Sequence, residues 1–168
     1  ERIGVLRAQS GVTIENLLNF LIPKGWFLKV TPGTKYATLG GCIASDVHGK
    51  EHHKEGCFSE SVKSLKIITN KNKSFILTKN KFPELFKATC GGMGLTGFIV
   101  EATIQCKKIK SSKIQFKKKL NKRLKEVFLC FENFKKFTYS VAWIDTIKKN
   151  KEFNSIFTMG EFFHDQKF

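Results

Sequence analysis

Four short stretches of this sequence hold residue types from which a site can be built. Thr38-Leu-Gly-Gly41 stands at the head of a helical run. Such a step suits an anion, because unpaired N–H groups at a helix start carry about half a positive charge. It is equally a tight turn that needs glycine. The run ends on His48-Gly49-Lys50, with His52 and His53 just after it. His48 reads as a polar residue lining a site, with a neutral structural histidine as the alternative. Lys50 reads as a cation held for an anionic substrate, or as a solvated loop lysine. His48, His52, His53 and Cys57 have zinc-like spacings, but there is no second arm of ligands and adjacent histidines point apart, so no metal is expected. Gly91-Gly-Met-Gly-Leu-Thr-Gly97 before Phe98-Ile-Val is a second glycine cluster. It is either a loop of positive φ angles or backbone lying against a flat ligand, with the following strand offering N–H and C=O to a heterocycle edge.

The elements that position these stretches follow from periodicity and punctuation. Arg2–Gln9 is a short strand. Thr13 caps a helix that carries Leu17, Leu18, Phe20, Leu21 and Ile22, and Pro23-Lys-Gly25 ends it. Trp26–Thr31 is a strand leading to the Pro32-Gly33 turn. Ala37–Val47 is a short helix, and His48–Phe58 a polar loop. Val62–Thr69 and Ser74–Thr78 form a hairpin across Asn70–Lys73. Phe82–Thr89 is a helix broken by the second glycine cluster, and Gly97–Ile104 is an apolar strand. Beyond a boundary near Lys110–Ser112, Ser111–Leu120 alternates apolar residues with lysines. Asn121–Phe137 is an amphipathic helix with Leu124, Val127, Phe128, Phe131 and Phe134 on its stripe. Tyr139–Ile144 and Phe157–Phe163 are further strands. Strands and helices alternate without regular crossover spacing, which predicts an α+β fold with mainly antiparallel sheet.

Composition narrows the class. The chain of 168 residues is 41% apolar, which argues for a folded domain. No apolar run approaches the ~18 residues of a membrane span, and the start shows no signal peptide. The net charge of +16 is uneven, with ten Lys or Arg between Lys107 and Lys125. No nucleic-acid-binding motif accompanies it, so sequence-specific nucleic-acid binding is not expected. Cys42, Cys57, Cys90, Cys106 and Cys130 are odd in number and scattered, which reads as free thiols in a reducing compartment.

Three segments in this order, PGTKYATLGGCIASDVHGKEHH, CFSESVKSLKIIT and ELFKATCGGMGLTGFIVEATI, resemble the flavin domain of FAD-linked oxidases of the vanillyl-alcohol-oxidase type. The HGKEHH form and the later FTYSVAWIDTI are most similar to the branch that oxidises decaprenylphosphoryl ribose. The resemblance implies residues 1–110 as the second subdomain of a PCMH-type FAD-binding domain and residues 111–168 as the opening of a substrate (cap) domain. It implies a piece of a longer protein, whose first subdomain and later part lie outside this chain. It also implies that Gly33, Thr38, Leu39, Gly40, Gly41, Ser45, Asp46, Val47 and His48 line FAD, held non-covalently. Ile99 would meet the flavin's pyrimidine edge through its backbone, and His48 and Lys50 would face the substrate. The reaction implied is hydride transfer from a sugar CH–OH carbon to flavin. The substrate would be a polyprenyl-phosphate pentose, with a reductase partner for the keto product. The setting implied is cytoplasmic, with Lys107–Lys125 in peripheral contact with the inner membrane face. A sugar-lactone or alditol oxidase, and a basic module that keeps only the flavin-domain shape, are the alternatives.

Overall fold

A computed structural model describes residues 3–70, 72–147 and 154–163. Arg2, in the expected first strand, and Lys71, in the expected hairpin turn, lie outside the described residues. The chain divides into two compact units, Glu1–Ile109 and Lys110–Phe168.

The first unit is a sheet flanked by helices. Strand β1 (Val5–Gln9) leads to helix α1 (Ile14–Leu21), and β2 (Trp26–Leu28) follows. Thr13 caps α1 by accepting the Asn16 N–H, and Ile14, Leu17 and Leu21 form its buried stripe, whereas Phe20 faces solvent. The expected helix at 37–47 shrinks to α2 (Leu39–Ala44), and the expected polar loop after it contains a single helical turn, α3 (His52–Glu55). Strands β3 (Val62–Ile68) and β4 (Ser74–Thr78) form the hairpin, α4 (Pro83–Thr89) follows, and β5 (Phe98–Lys108) closes the unit.

All pairings are antiparallel, in the order β1-β5-β3-β4, with β2 also on β5. Strand β5 continues past its expected end at Ile104 because β1 and β2 pair along its second half. Its buried residues are Ile99, Ala102, Ile104 and Cys106. The break in alternation after Ile99 is a β-bulge. Lys66 pairs with Glu101 and Ile67 with Ile99, so Val100 has no partner in β3.

The second unit is a three-stranded antiparallel sheet, β6 (Ile114–Asn121), β8 (Ser155–Phe162) and β7 (Tyr139–Ile144) in that spatial order, with helix α5 (Leu124–Asn133). The expected apolar stripe of α5 is only partly covered. Val127 and Cys130 are buried, whereas Leu124, Phe128 and Phe131 are exposed. Helical periodicity defines a face but not the width of surface that covers it.

Candidate functional site

The end of the β1–β5 ladder and the two glycine clusters build one cleft. One step past the Gln9–Glu101 pair of β1 and β5, the Val100 carbonyl accepts the Ser10 N–H at 2.9 Å, which holds the Ser10-Gly11 loop beside β5. The Ser10 carbonyl in turn accepts the Gly40 N–H at 2.8 Å, and a Cβ on Gly40 would lie 2.8 Å from the Ser10 Cβ. Glycine is needed there because α2 touches the loop through backbone alone. The second cluster hangs from the other end of α2. Gly91 N–H donates to the Ile43 carbonyl at 3.0 Å, which also accepts the Asp46 N–H, and Met93 N–H donates to the Ala44 carbonyl at 2.8 Å, so the cluster is tied to the helix end.

The resulting cleft has a volume of about 890 Å³. Ser10, Gly11, Thr38, Gly40, Gly41 and Ala44 form one wall. Ile68, Thr69 and Asn70 from the end of β3, together with Gly94–Ile99, form the other. Leu95 and Phe98 keep 92% and 71% of their surface exposed, an apolar flank with no protein partner over most of its area. A side chain at Gly11 or Gly94 would meet nothing within 4 Å.

The anion-binding expectation for the Gly-Gly step loses its donors. Leu39 N–H donates to Val12 O at 2.8 Å, Gly40 N–H to Ser10 O, and Gly41 N–H to the Thr38 hydroxyl at 3.2 Å. All three first-turn amides of this six-residue helix therefore have protein acceptors. What remains at Thr38, Gly40 and Gly41 is a backbone surface open to a ligand by close approach.

The remaining candidate residues occupy other places. Leu39 is fully buried in the core, and Gly33 lies exposed in the Pro32-Gly33 turn. Ser45 ends α2. Asp46 has a φ of 42°, and its carboxylate accepts the Ser59 N–H at 2.8 Å and the Ser59 hydroxyl at 3.0 Å. Val47 is pinned through its N–H to Cys42 and its carbonyl to Phe58. His48 and Lys50 are exposed, and the His48 ring lies 5.1 Å from that of His52. None of Gly33, Leu39, Ser45, Asp46, Val47, His48 or Lys50 lines the cleft, whereas Thr38, Gly40, Gly41 and Ile99 do.

Cys57 Sγ sits 4.0 Å from His52 Nδ1, and among the described residues no group of three His, Cys, Asp or Glu is placed to hold a metal ion. Burial pushes the Cys42, Cys90 and Cys106 thiols up to about 11, which suits inert core thiols.

Gly94–Phe98, from the second glycine cluster and the strand after it, line the cleft, and Ser10, Gly11, Ile68, Thr69 and Asn70 join it although sequence reasoning assigned them no site role. Ser10-Gly11 and Asn70 carried only turn signals. The second glycine cluster was the one legible pointer to that wall.

Residues 2–77 match the FAD binding domain family. The chain carries an FAD-binding domain of the PCMH type, and its cofactor is FAD. The cleft suits that group. Its volume falls in the range of small-molecule sites, its glycine-lined edge lets a ligand reach backbone, and its apolar flank suits a flat ring system.

Among particular relatives, decaprenylphosphoryl-beta-D-ribose oxidase of Mycolicibacterium smegmatis is 35% identical over 143 residues, 83% of this chain and 31% of that protein. D-arabinono-1,4-lactone oxidase of Kluyveromyces lactis is 29% identical over 97 residues, 58% of this chain and 18% of that protein. Mitochondrial L-galactono-1,4-lactone dehydrogenase of Brassica oleracea is 28% identical over 101 residues, 60% of this chain and 17% of that protein. The chain thus spans less than a third of the length of these relatives. No described helix is long and apolar enough to cross a membrane.

Proposed function

We propose that this chain is part of an FAD-dependent oxidoreductase that oxidises a CH–OH carbon of a sugar, and that the sugar is a polyprenyl-phosphate pentose. The observation that carries the reading is the cleft in which the Gly40-Gly41 step opens one short helix and the second glycine cluster, 50 residues later in sequence, is hydrogen-bonded to the other end of that helix. The match over 83% of the chain to a decaprenylphosphoryl-ribose oxidase supports the substrate class, and the shorter matches to lactone oxidases support sugar CH–OH chemistry more broadly. In this reading the first unit is the second FAD-binding subdomain, and the second unit opens the substrate domain.

FAD, when bound, supplies a two-electron acceptor for the hydride. Thr38, Gly40, Gly41 and the Ile99 backbone bound its place in the cleft. Gly33 and Ser45 to His48 hold the adjoining loop, in part through the Asp46–Ser59 bonds. His48 and Lys50, both exposed on that loop, are the polar groups available to substrate. Lys50 offers a positive charge to an anionic substrate or to charge that develops during transfer. A keto-sugar product calls for a reductase that consumes it. Lys107 is engaged by Glu55 at 3.7 Å, so contact of this protein with an anionic membrane surface would fall to the exposed lysines from Lys108 onward.

The test is dye reduction by the full-length FAD-loaded protein with a panel of CH–OH donors. A polyprenyl-phosphate pentose is expected to outperform sugar lactones and alditols, and Lys50→Met to lower kcat/KM by about 10²-fold. Preference for a lactone would assign the chain to the lactone-oxidase side of the family. Failure of every donor would sink the oxidase reading.

A further inference from the structure

The loop that carries His48 and Lys50 is braced by a buried acid. Glu51 retains only 1% of its exposed surface, although it sits between two exposed residues, Lys50 and His52. Its Oε1 accepts the Thr31 N–H at 2.5 Å, and the Thr31 hydroxyl lies 3.5 Å from the same oxygen. Its Oε2 is buried and has no hydrogen-bond partner. A buried carboxylate oxygen left unmatched is costly, and natural structures keep few such atoms.

Gly49 shows why the acid lies there. A Cβ on Gly49 would run into the Thr31 carbonyl oxygen and lie 2.6 and 2.7 Å from the two Glu51 carboxylate oxygens. The Thr31 backbone and the Glu51 carboxylate thus close on the Gly49 backbone from outside, leaving no room for a side chain. Thr31 leads directly into Pro32-Gly33, and Gly49 lies between His48 and Lys50. The far end of the same loop is held as well, since Glu55 of α3 pairs with Lys107 of β5 at 3.7 Å.

We propose that Glu51 is the positioning residue of this site: by tying the Gly49 turn to Thr31, it sets where His48 and Lys50 stand relative to the Pro32-Gly33 turn. The assignment rests on the oxidase reading above and adds a residue that acts through others rather than on substrate. Its role is geometric. A glutamine keeps an oxygen for the Thr31 N–H and fills the same space, whereas an alanine removes the brace.

The experiment compares Glu51→Ala, Glu51→Gln and Gly49→Ala in the full-length FAD-loaded protein. Two readouts are taken, amide hydrogen exchange around Thr31 and kcat and KM separately. Glu51→Ala is expected to lose protection at Thr31 and to lower kcat by about 10-fold or more, as small misplacements of reacting groups do. Glu51→Gln is expected to restore both to near the parent values. Gly49→Ala, which strains the same turn from the other side, should lower kcat too, and the Glu51→Ala/Gly49→Ala double variant should fall well short of the product of the two losses.

Unchanged exchange at Thr31 in Glu51→Ala overturns the brace, and this arm does not depend on turnover. Lost exchange protection with parental kcat overturns the positioning role alone. A Glu51→Gln variant as impaired as Glu51→Ala overturns the geometric role. A parent protein that oxidises no donor overturns the oxidase reading beneath it, an outcome distinct from the others. Should Glu51→Ala fail to fold, Glu51→Gln and Gly49→Ala still decide the matter, since parental kcat in Gly49→Ala would contradict the proposal.

Discussion

The two units bury apolar surface very differently. The first has one continuous core that runs from Ile14 and Leu17 through Leu39 and Ile43 to Leu65, Leu77 and Ile104. Among the described residues the second buries Val127, Cys130, Phe157, Met159 and Phe162, of which Cys130, Phe157 and Met159 form one cluster with Phe134, Phe137 and Ala142 against it. On its sheet, Leu120 and Trp143 flank Ile156 as direct cross-strand neighbours, and all three are exposed. Stability follows buried apolar area, so the first unit is expected to be the more stable platform and the second the easier to open. The candidate cofactor wall sits entirely on the platform. Its loops are short, and each is tied by backbone bonds to an element that the core holds in place.

The comparison can be broken most directly in the core. Leu65→Ala, at a position 1% exposed in β3, should cost about 2–5 kcal/mol. Urea denaturation read at Trp26 would show the loss, and the transition read at Trp143 should stay in place. If both transitions move together, the units do not open independently.

The pH dependence of the first unit comes next. Its Cys42, Cys90 and Cys106 thiols are raised by burial from 9.0 to about 11. Between those values the unfolded chain gives up protons that the folded unit keeps, so stability is at its full value below about pH 9 and falls as pH rises toward about 11. The Trp26 urea midpoint should therefore drop between about pH 9 and about pH 11, and a triple Cys→Ala variant should flatten that drop.

Thr38→Ala is a finer probe. It removes the hydroxyl that accepts the Gly41 N–H, at a typical cost of about 1 kcal/mol for a lost helix cap. It should also weaken FAD binding, measured by flavin fluorescence on titration, because the freed turn borders the cleft. A smaller effect sharpens the contrast from the other side. Leu120→Ala, at a 77% exposed position in the second unit, should change stability by less than about 0.5 kcal/mol in the same urea experiment. A larger loss would mean that Leu120 is covered in solution.

The sequence by itself determined what rests on near neighbours. The cap at Thr13, the stop at Pro23-Lys-Gly25, the β3–β4 hairpin and the α+β class follow from chemistry within a few residues, and the structure has them. The order of three motifs likewise named the FAD-binding family, since each motif is local. Tertiary structure alone decided the shape of the site. The pairing of β1 with β5, more than 90 residues later in the chain, continues to Ser10 and Val100 and brings Ser10-Gly11 to the cleft. The amides after Thr38 looked available in sequence, yet the Val12 and Ser10 carbonyls take those of Leu39 and Gly40 from across the fold. Glu51 looked like one more loop acid between Lys50 and His52, and only its contact with Thr31, 20 residues earlier, shows that it is buried. A residue type and its spacing state which bonds a side chain can make. Which bonds it does make depends on what the rest of the chain places beside it.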